Sequence, residues 1–169
     1  MVQHTARREM ERAAAEARRL LEGIPQIAWT ASPAGHNTYL NRRWYDFIGP
    51  ENALGDDGGW AAQLHPDDAA PAAARWAESL RSGDFFEVEY RFRNQAGDYR
   101  WMLGRALPSR NEHGEITQWI GTCTDIHEHK MTLEREAATQ RQLQENNAQL
   151  TRANIDLDNF IYTASHDLR

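Results

Sequence analysis

Phe86-Glu87-Val88-Glu89-Tyr90-Arg91-Phe92-Arg93 is the stretch whose reading decides the fold. Phe86, Val88, Tyr90 and Phe92 alternate with four charged residues, a two-residue period that sends every apolar side chain to one face of a strand. The turn Gln95-Ala96-Gly97-Asp98 leads into a second strand, Tyr99 to Leu107. Asn111-Glu112-His113-Gly114 then leads into a third, Ile116 to Thr124. These three strands read as an antiparallel meander.

Upstream, Ile27-Ala28-Trp29-Thr30 predicts a strand, Ser32-Pro33-Ala34-Gly35 a turn and Asn37-Thr38-Tyr39-Leu40 a second strand. Asn41 to Gly49 predicts a short helix closed by glycine, and Gly55 to Gly59 a loop. His65-Pro66-Asp67-Asp68 opens a further helix running to about Ser82. Proline suits the first helical position, and two carboxylates meet the positive end of the helix dipole. Two strands, short helices and a three-strand meander make an α+β fold, an antiparallel sheet covered on one face by helices.

Both flanks are helical in composition. From Arg7 to Glu22, the residues Met10, Ala13, Ala17 and Leu20 form a narrow apolar stripe continued by Ile24, with Gly23 and Pro25 as the stop. Asp125-Ile126-His127-Glu128 is a capping-box arrangement, and no Gly or Pro follows before Leu168. One helix of about 40 residues is expected, on the order of 60 Å long. Leu143, Leu150, Leu157 and Ala164 recur every seven residues, with Leu133, Gln140, Asn147, Asn154 and Ile161 at the other seam position. The pattern predicts a parallel two-stranded coiled coil, leucine at d and polar residues at a, in preference to a solvated single helix. A weak seam of this kind has alternatives in register within a few kcal/mol, which a neighbouring domain can bias.

Composition narrows the function. The chain has 169 residues, and its six tryptophans all lie between Trp29 and Trp119, so the core belongs to the middle. A net charge of −6 without basic clusters argues against a nucleic-acid partner. A single cysteine, Cys123, excludes an intramolecular disulfide and fits a reducing, cytoplasmic location. No apolar run approaches the ~20 residues that span a bilayer, so no membrane contact is expected of these residues.

Two resemblances add to this reading. Trp29, Gly35 and Asn41, then His65-Pro66-Asp67-Asp68, Glu89-Tyr90-Arg91, Gly97, Tyr99-Arg100-Trp101 and Gly114 are placed as in PAS sensory domains. So are Ile120-Gly121-Thr122 and Thr124-Asp125-Ile126. The resemblance covers about residues 23 to 130 and includes the C-terminal PAC motif. It implies a five-stranded antiparallel sheet in the order 2-1-5-4-3. The second stretch, Phe160-Ile161-Tyr162-Thr163-Ala164-Ser165-His166-Asp167-Leu168-Arg169, resembles the phosphoacceptor box of sensor histidine kinases.

That second resemblance implies that His166 takes the γ-phosphoryl group of ATP and passes it to an aspartate of a response regulator. Asp167 would accept the Nδ1 proton, leaving Nε2 as nucleophile, and Arg169 would lie near the phosphoryl group. The organisation expected is an N-terminal amphipathic helix 1–22, a PAS sensory domain 23–126, a signalling coiled coil 127–159, and the start of a dimerisation and phosphotransfer domain 160–169. The implied partners are a second copy of the chain, the ATP-binding domain of a parent histidine kinase and a response regulator. ATP and Mg would belong to that parent. No cofactor or metal is expected in the residues at hand, and they carry no G-x-x-x-x-G-K-[ST] loop. These residues alone are expected to be inactive.

Other candidates have structural readings that are preferred. Cys123 as a flavin-adduct cysteine gives way to core packing, since it falls on the last strand. His65 as a haem ligand gives way to a capping role before Pro66. His127 and His129 stand two apart, off a common helix face, and read as a solvated helix start. Trp29, Tyr39, Trp44, Phe47, Trp76, Tyr90 and Trp101 either line a small-molecule pocket or fill the core, and the filled core is preferred. Three functions compete: a kinase's sensory and dimerisation module, a ligand-free PAS interaction module, and a ligand sensor driving another output. The terminal box counts against the third.

Overall fold

The computed structural model describes residues 2–52 and 59–167, with side chains from Thr5 onward. Most of the expected Gly55–Gly59 loop, and Leu168 and Arg169 of the terminal box, lie outside the described residues. The chain divides into two compact units, Met1–His127 and Glu128–Arg169.

In the first unit, α1 (Val2–Gly23) precedes β1 (Ile27–Ala31), β2 (Asn37–Leu40) and α2 (Arg42–Ile48). A 3-10 turn at Pro50–Asn52, a short α3 (Trp60–Gln63) and α4 (Pro66–Ser82) follow. The unit closes with β3 (Phe86–Arg93), β4 (Tyr99–Arg110) and β5 (Ile116–Asp125). The five strands form one antiparallel sheet in the order β2-β1-β5-β4-β3, as expected. The 3-10 turn and α3 were not foreseen, because three or four residues are too few to reveal a period.

Local chemistry accounts for the boundaries. His65 stands at the N-cap of α4, and its Nδ1 accepts the Asp67 N–H at 3.1 Å, the structural role anticipated for it. Gly83 ends α4 in the left-handed region at φ +74°, where a Cβ would meet the Arg110 guanidinium. Asn41 works differently. It occupies the N-cap position of α2 but makes no cap bond. Its wholly buried amide instead accepts the Ala28 N–H at 3.0 Å and donates to Leu21 O and Gln26 O, each at 3.0 Å. One side chain thus joins the end of α1, the start of β1 and the entry to α2.

The core lies on the helical side of the sheet. Trp29, Trp44, Ile48, Phe86, Tyr90, Phe92, Met102, Trp119 and Cys123 are buried there. Rings meet edge to face, with Trp76 centroids 5.1 Å from both Phe86 and Trp119 and Trp44 5.2 Å from Phe92. Two aromatics grouped with this core in the sequence lie elsewhere. Tyr39 points to the opposite face, hydrogen-bonded to Glu22 of α1. Trp101 lies under the Arg91 guanidinium, 4.9 Å from ring centroid to Cζ.

The second unit is a single helical rod. Helix α5 (His127–Asp167) runs 41 residues without a break and has no buried residue. None of the described helices is long and apolar enough to cross a membrane.

Candidate functional site

Three places carry chemistry: the aromatic cavity, the exit at Asp125, and His166. The cavity comes from a repeated device on the sheet. Tyr90 on β3 crosses over Gly104 on β4, and its hydroxyl lies 3.2 Å from Cys123 Sγ on β5. Trp29 on β1 likewise lies over Gly121 on β5. A Cβ at either glycine would overlap the ring above it. The space left between these rings and Trp44, Trp60, Ala72 and Trp76 is a cavity of about 60 Å³.

Burial dominates the electrostatics here. It pushes the Cys123 thiol up to about 11, against the opposing pull of the Tyr90 and Trp29 hydrogen bonds. The Tyr90 phenol, also desolvated, is raised well above its ordinary value. Cys123 is therefore a protonated core thiol at neutral pH, the packing role expected of it, and a poor nucleophile. Trp119 is fully buried, and its Nε1–H has no hydrogen-bond partner among the described residues.

At the exit, Asp125 does two things. Its Oδ1 accepts the His127 N–H at 2.9 Å, which caps α5, and its Oδ2 accepts Arg100 Nε at 2.7 Å. The Ile126 N–H donates to Trp101 O at 2.9 Å, and the Trp101 N–H reaches His127 Nδ1 at 3.4 Å. Trp101 in turn carries Arg91 on its face, and Arg91 grips Asp68 at the start of α4. Nε to Oδ2 is 2.9 Å, Nη2 to Oδ1 2.8 Å, and the Arg91 N–H adds a third bond at 2.8 Å. The guanidinium beside Asp68 holds that carboxyl below its usual range, against a smaller opposing effect of burial. Sequence reading singled out both Asp125 and Trp101 but not their connection, because Arg91 and Asp68 meet across 23 residues.

His166 stands in the last described turns of α5 with its side chain 78% exposed, and Asp167 is 77% exposed. The structure places Asp167 Oδ1 3.7 Å from His166 Nδ1, an ion-pair separation longer than a hydrogen bond. Tyr162, one turn earlier, offers its ring to the imidazole at 6.5 Å between centroids and 30° between planes. The seam leucines Leu143, Leu150 and Leu157 are 57%, 62% and 55% exposed in the single chain. Phe160 and Ile161 are exposed as well.

The family comparison matches residues 37–123 to the PAS fold. The uncharacterized protein y4lL of Sinorhizobium fredii is 37% identical over 131 residues, 77% of this chain and 16% of its own length. A peroxide stress-activated histidine kinase of Schizosaccharomyces pombe, mak1, is 31% identical over 183 aligned positions, 99% of this chain and 11% of its own. The chain thus spans only a small part of these curated relatives. Among solved structures, a sensory box histidine kinase/response regulator from Burkholderia thailandensis superposes with a TM-score of 0.57 at 27% identity. That match covers 74% of this chain and 95% of that one. This chain belongs to the PAS-fold family, and its PAS domain is a sensor domain related to those of histidine kinases.

Proposed function

We propose that this chain is the sensory and dimerisation module of a two-component sensor histidine kinase, with His166 as its phosphoacceptor. The observation that carries the reading is the continuity of α5. One uninterrupted helix leads from the Asp125 cap to an imidazole that is open to an incoming domain. The histidine kinase mak1 aligns with 99% of this chain, which supports the same assignment.

In this reading two copies pair α5 along the leucine seam. That seam is otherwise left in water, at about 25 cal/mol per Å² of apolar area. The polar a positions Gln140, Asn147 and Asn154 keep the pairing weak enough for a sensor to bias. The ATP-binding domain of the parent kinase supplies ATP and Mg. His166 Nε2 then attacks the γ-phosphorus, the bond to the ADP oxygen breaks, and the Nδ1 proton passes to the Asp167 carboxylate. A modest side-chain rotation closes the 3.7 Å gap to hydrogen-bond length. The phosphoryl group leaves Nε2 for an aspartate carboxylate of a response regulator. The setting is cytoplasmic, where ATP is available.

The PAS unit itself is read as free of a bound cofactor. A cavity of about 60 Å³ is far below the ~300–1,000 Å³ of sites that enclose a small organic ligand. The same volume favours the second reading, a ligand-free PAS module that relays contacts between proteins. The deciding experiment extends the chain through a complete helical hairpin and supplies an ATP-binding domain with labelled ATP. Acid-labile label on the wild type and none on His166→Ala is expected. Equal labelling of His166→Ala would remove the phosphoacceptor and leave the second reading. Light scattering that finds a monomer at micromolar concentration would remove the coiled-coil dimer.

A further inference from the structure

We infer that Arg91, held between the Asp68 carboxylate and the Trp101 ring, is the mechanical link through which movement of α4 reaches the cap of α5. The inference concerns the PAS unit alone and stands whether or not His166 is phosphorylated.

Three observations build it. First, α4 is in direct contact with the cavity, since Ala72 and Trp76 line it, and Trp76 touches Trp29, Phe86 and Trp119. Second, Asp68 in the first turn of α4 is tied to Arg91 by three hydrogen bonds of 2.8–2.9 Å. Its side chain is 15% exposed and that of Arg91 26%, so the pair is shielded from solvent and its geometry is specific. Neighbouring Asp67 lies 4.0 Å from the same guanidinium, beyond hydrogen-bond length, and at 78% exposure its pairing is screened by water. Third, Trp101 beneath Arg91 engages the exit through both backbone groups. Its carbonyl holds the Ile126 N–H and its N–H reaches His127 Nδ1.

The chain of contacts is therefore continuous: α4, Asp68, Arg91, Trp101, then Ile126 and His127. Each step is a charge-assisted hydrogen bond, a cation–π stack or a backbone hydrogen bond, not apolar packing that yields in any direction. The two-state element at its end is the first turn of α5, which is either capped by Asp125 or frayed. Arg91 and Trp101 face each other in the β3–β4 register, so a shift of Asp68 tilts the guanidinium on the ring without breaking the sheet. Arg100 pulls on the same Asp125 from the next position along β4 and sets the resting state of the cap.

A double-mutant cycle read by amide hydrogen exchange on the full chain tests this. Asp68→Asn and Trp101→Leu are each expected to raise exchange at the Ile126 and His127 amides by roughly tenfold. The double variant is expected to exchange no faster than the faster single one, because both substitutions cut the same chain. Asp67→Asn should leave both amides unchanged. Arg91→Lys keeps the charge and loses the flat stack. It is expected to raise exchange at both amides, and it carries the test should Trp101→Leu fail to fold. Multiplying effects in the double variant, or unchanged Ile126 and His127 exchange in Asp68→Asn or Arg91→Lys, overturn the inference.

Discussion

Trp44 and Leu150 are both large apolar side chains, one 1% exposed and the other 62%. Trp44 sits in a unit that finishes its own core: helices over one face of a sheet, with rings interlocked edge to face. Leu150 sits in a helix with no buried residue, its seam leucines each more than half exposed. The first unit's sequence specifies a fold for one chain. The second unit's leucines, repeated every seven residues, are the stripe that the proposed dimer would cover with a second helix.

That contrast can be broken most directly by truncating both side chains. Trp44→Ala is expected to cost about 3–5 kcal/mol in urea unfolding of the PAS unit. Leu150→Ala in the same dilute chain should change that unfolding by less than about 0.5 kcal/mol. It should instead weaken self-association in sedimentation at high concentration. Similar losses from both substitutions would mean that the helix already has a partner within its own chain.

Asn41→Ala sharpens the comparison from the polar side. It strips the Ala28 N–H of its acceptor and frees two carbonyls in a buried place, for an expected loss of roughly 2–3 kcal/mol by the same unfolding measurement. Gly104→Ala comes next, at about 1–3 kcal/mol, because the methyl group collides with the Tyr90 hydroxyl. Displacing Tyr90 should also speed alkylation of Cys123 in the native protein, which a thiol assay would read.

The smallest effect is one of pH. Asp68 is held below the ordinary carboxylate range by Arg91, so its contribution is full above the unfolded value and fades as pH falls through the lower folded value. Acid titration of thermal stability should therefore steepen below about pH 4, and Asp68→Asn should flatten that limb. An unchanged acid limb in the variant would show that the pair contributes nothing to folding.

These expectations also mark what the sequence made legible. The two-residue period of Phe86 to Arg93 is a local pattern, and it placed the sheet and its inner face. The order of strands and the PAS fold came from resemblance, and the structure agrees with both. Strand β4 was harder to read. Its inner positions carry Met102, Gly104 and Ala106, while Trp101 and Leu103 stand on the outer face, so size alone does not mark the inner side. Gly104 carries no side chain where Tyr90, arriving from β3, already fills the space above it. Only the assembled sheet reveals that.

The Asn41 bonds were equally hidden. They link residues 13 to 20 apart, and no periodicity records such a meeting. His166 differs again, since its neighbours Tyr162 and Asp167 are all local and exposed. Nothing in its packing marks it out, and the phosphoacceptor role proposed for it rests on resemblance.

The glycines beneath Trp29 and Tyr90 have one more consequence, for traffic. With a ring pressed onto the backbone at Gly121 and another at Gly104, the sheet is a closed wall behind the cavity. Water exchanging with the cavity has to pass on the side of the covering helices, where Trp44, Trp60 and Trp76 stand. That path runs beside α4, the same helix that Asp68 ties to Arg91.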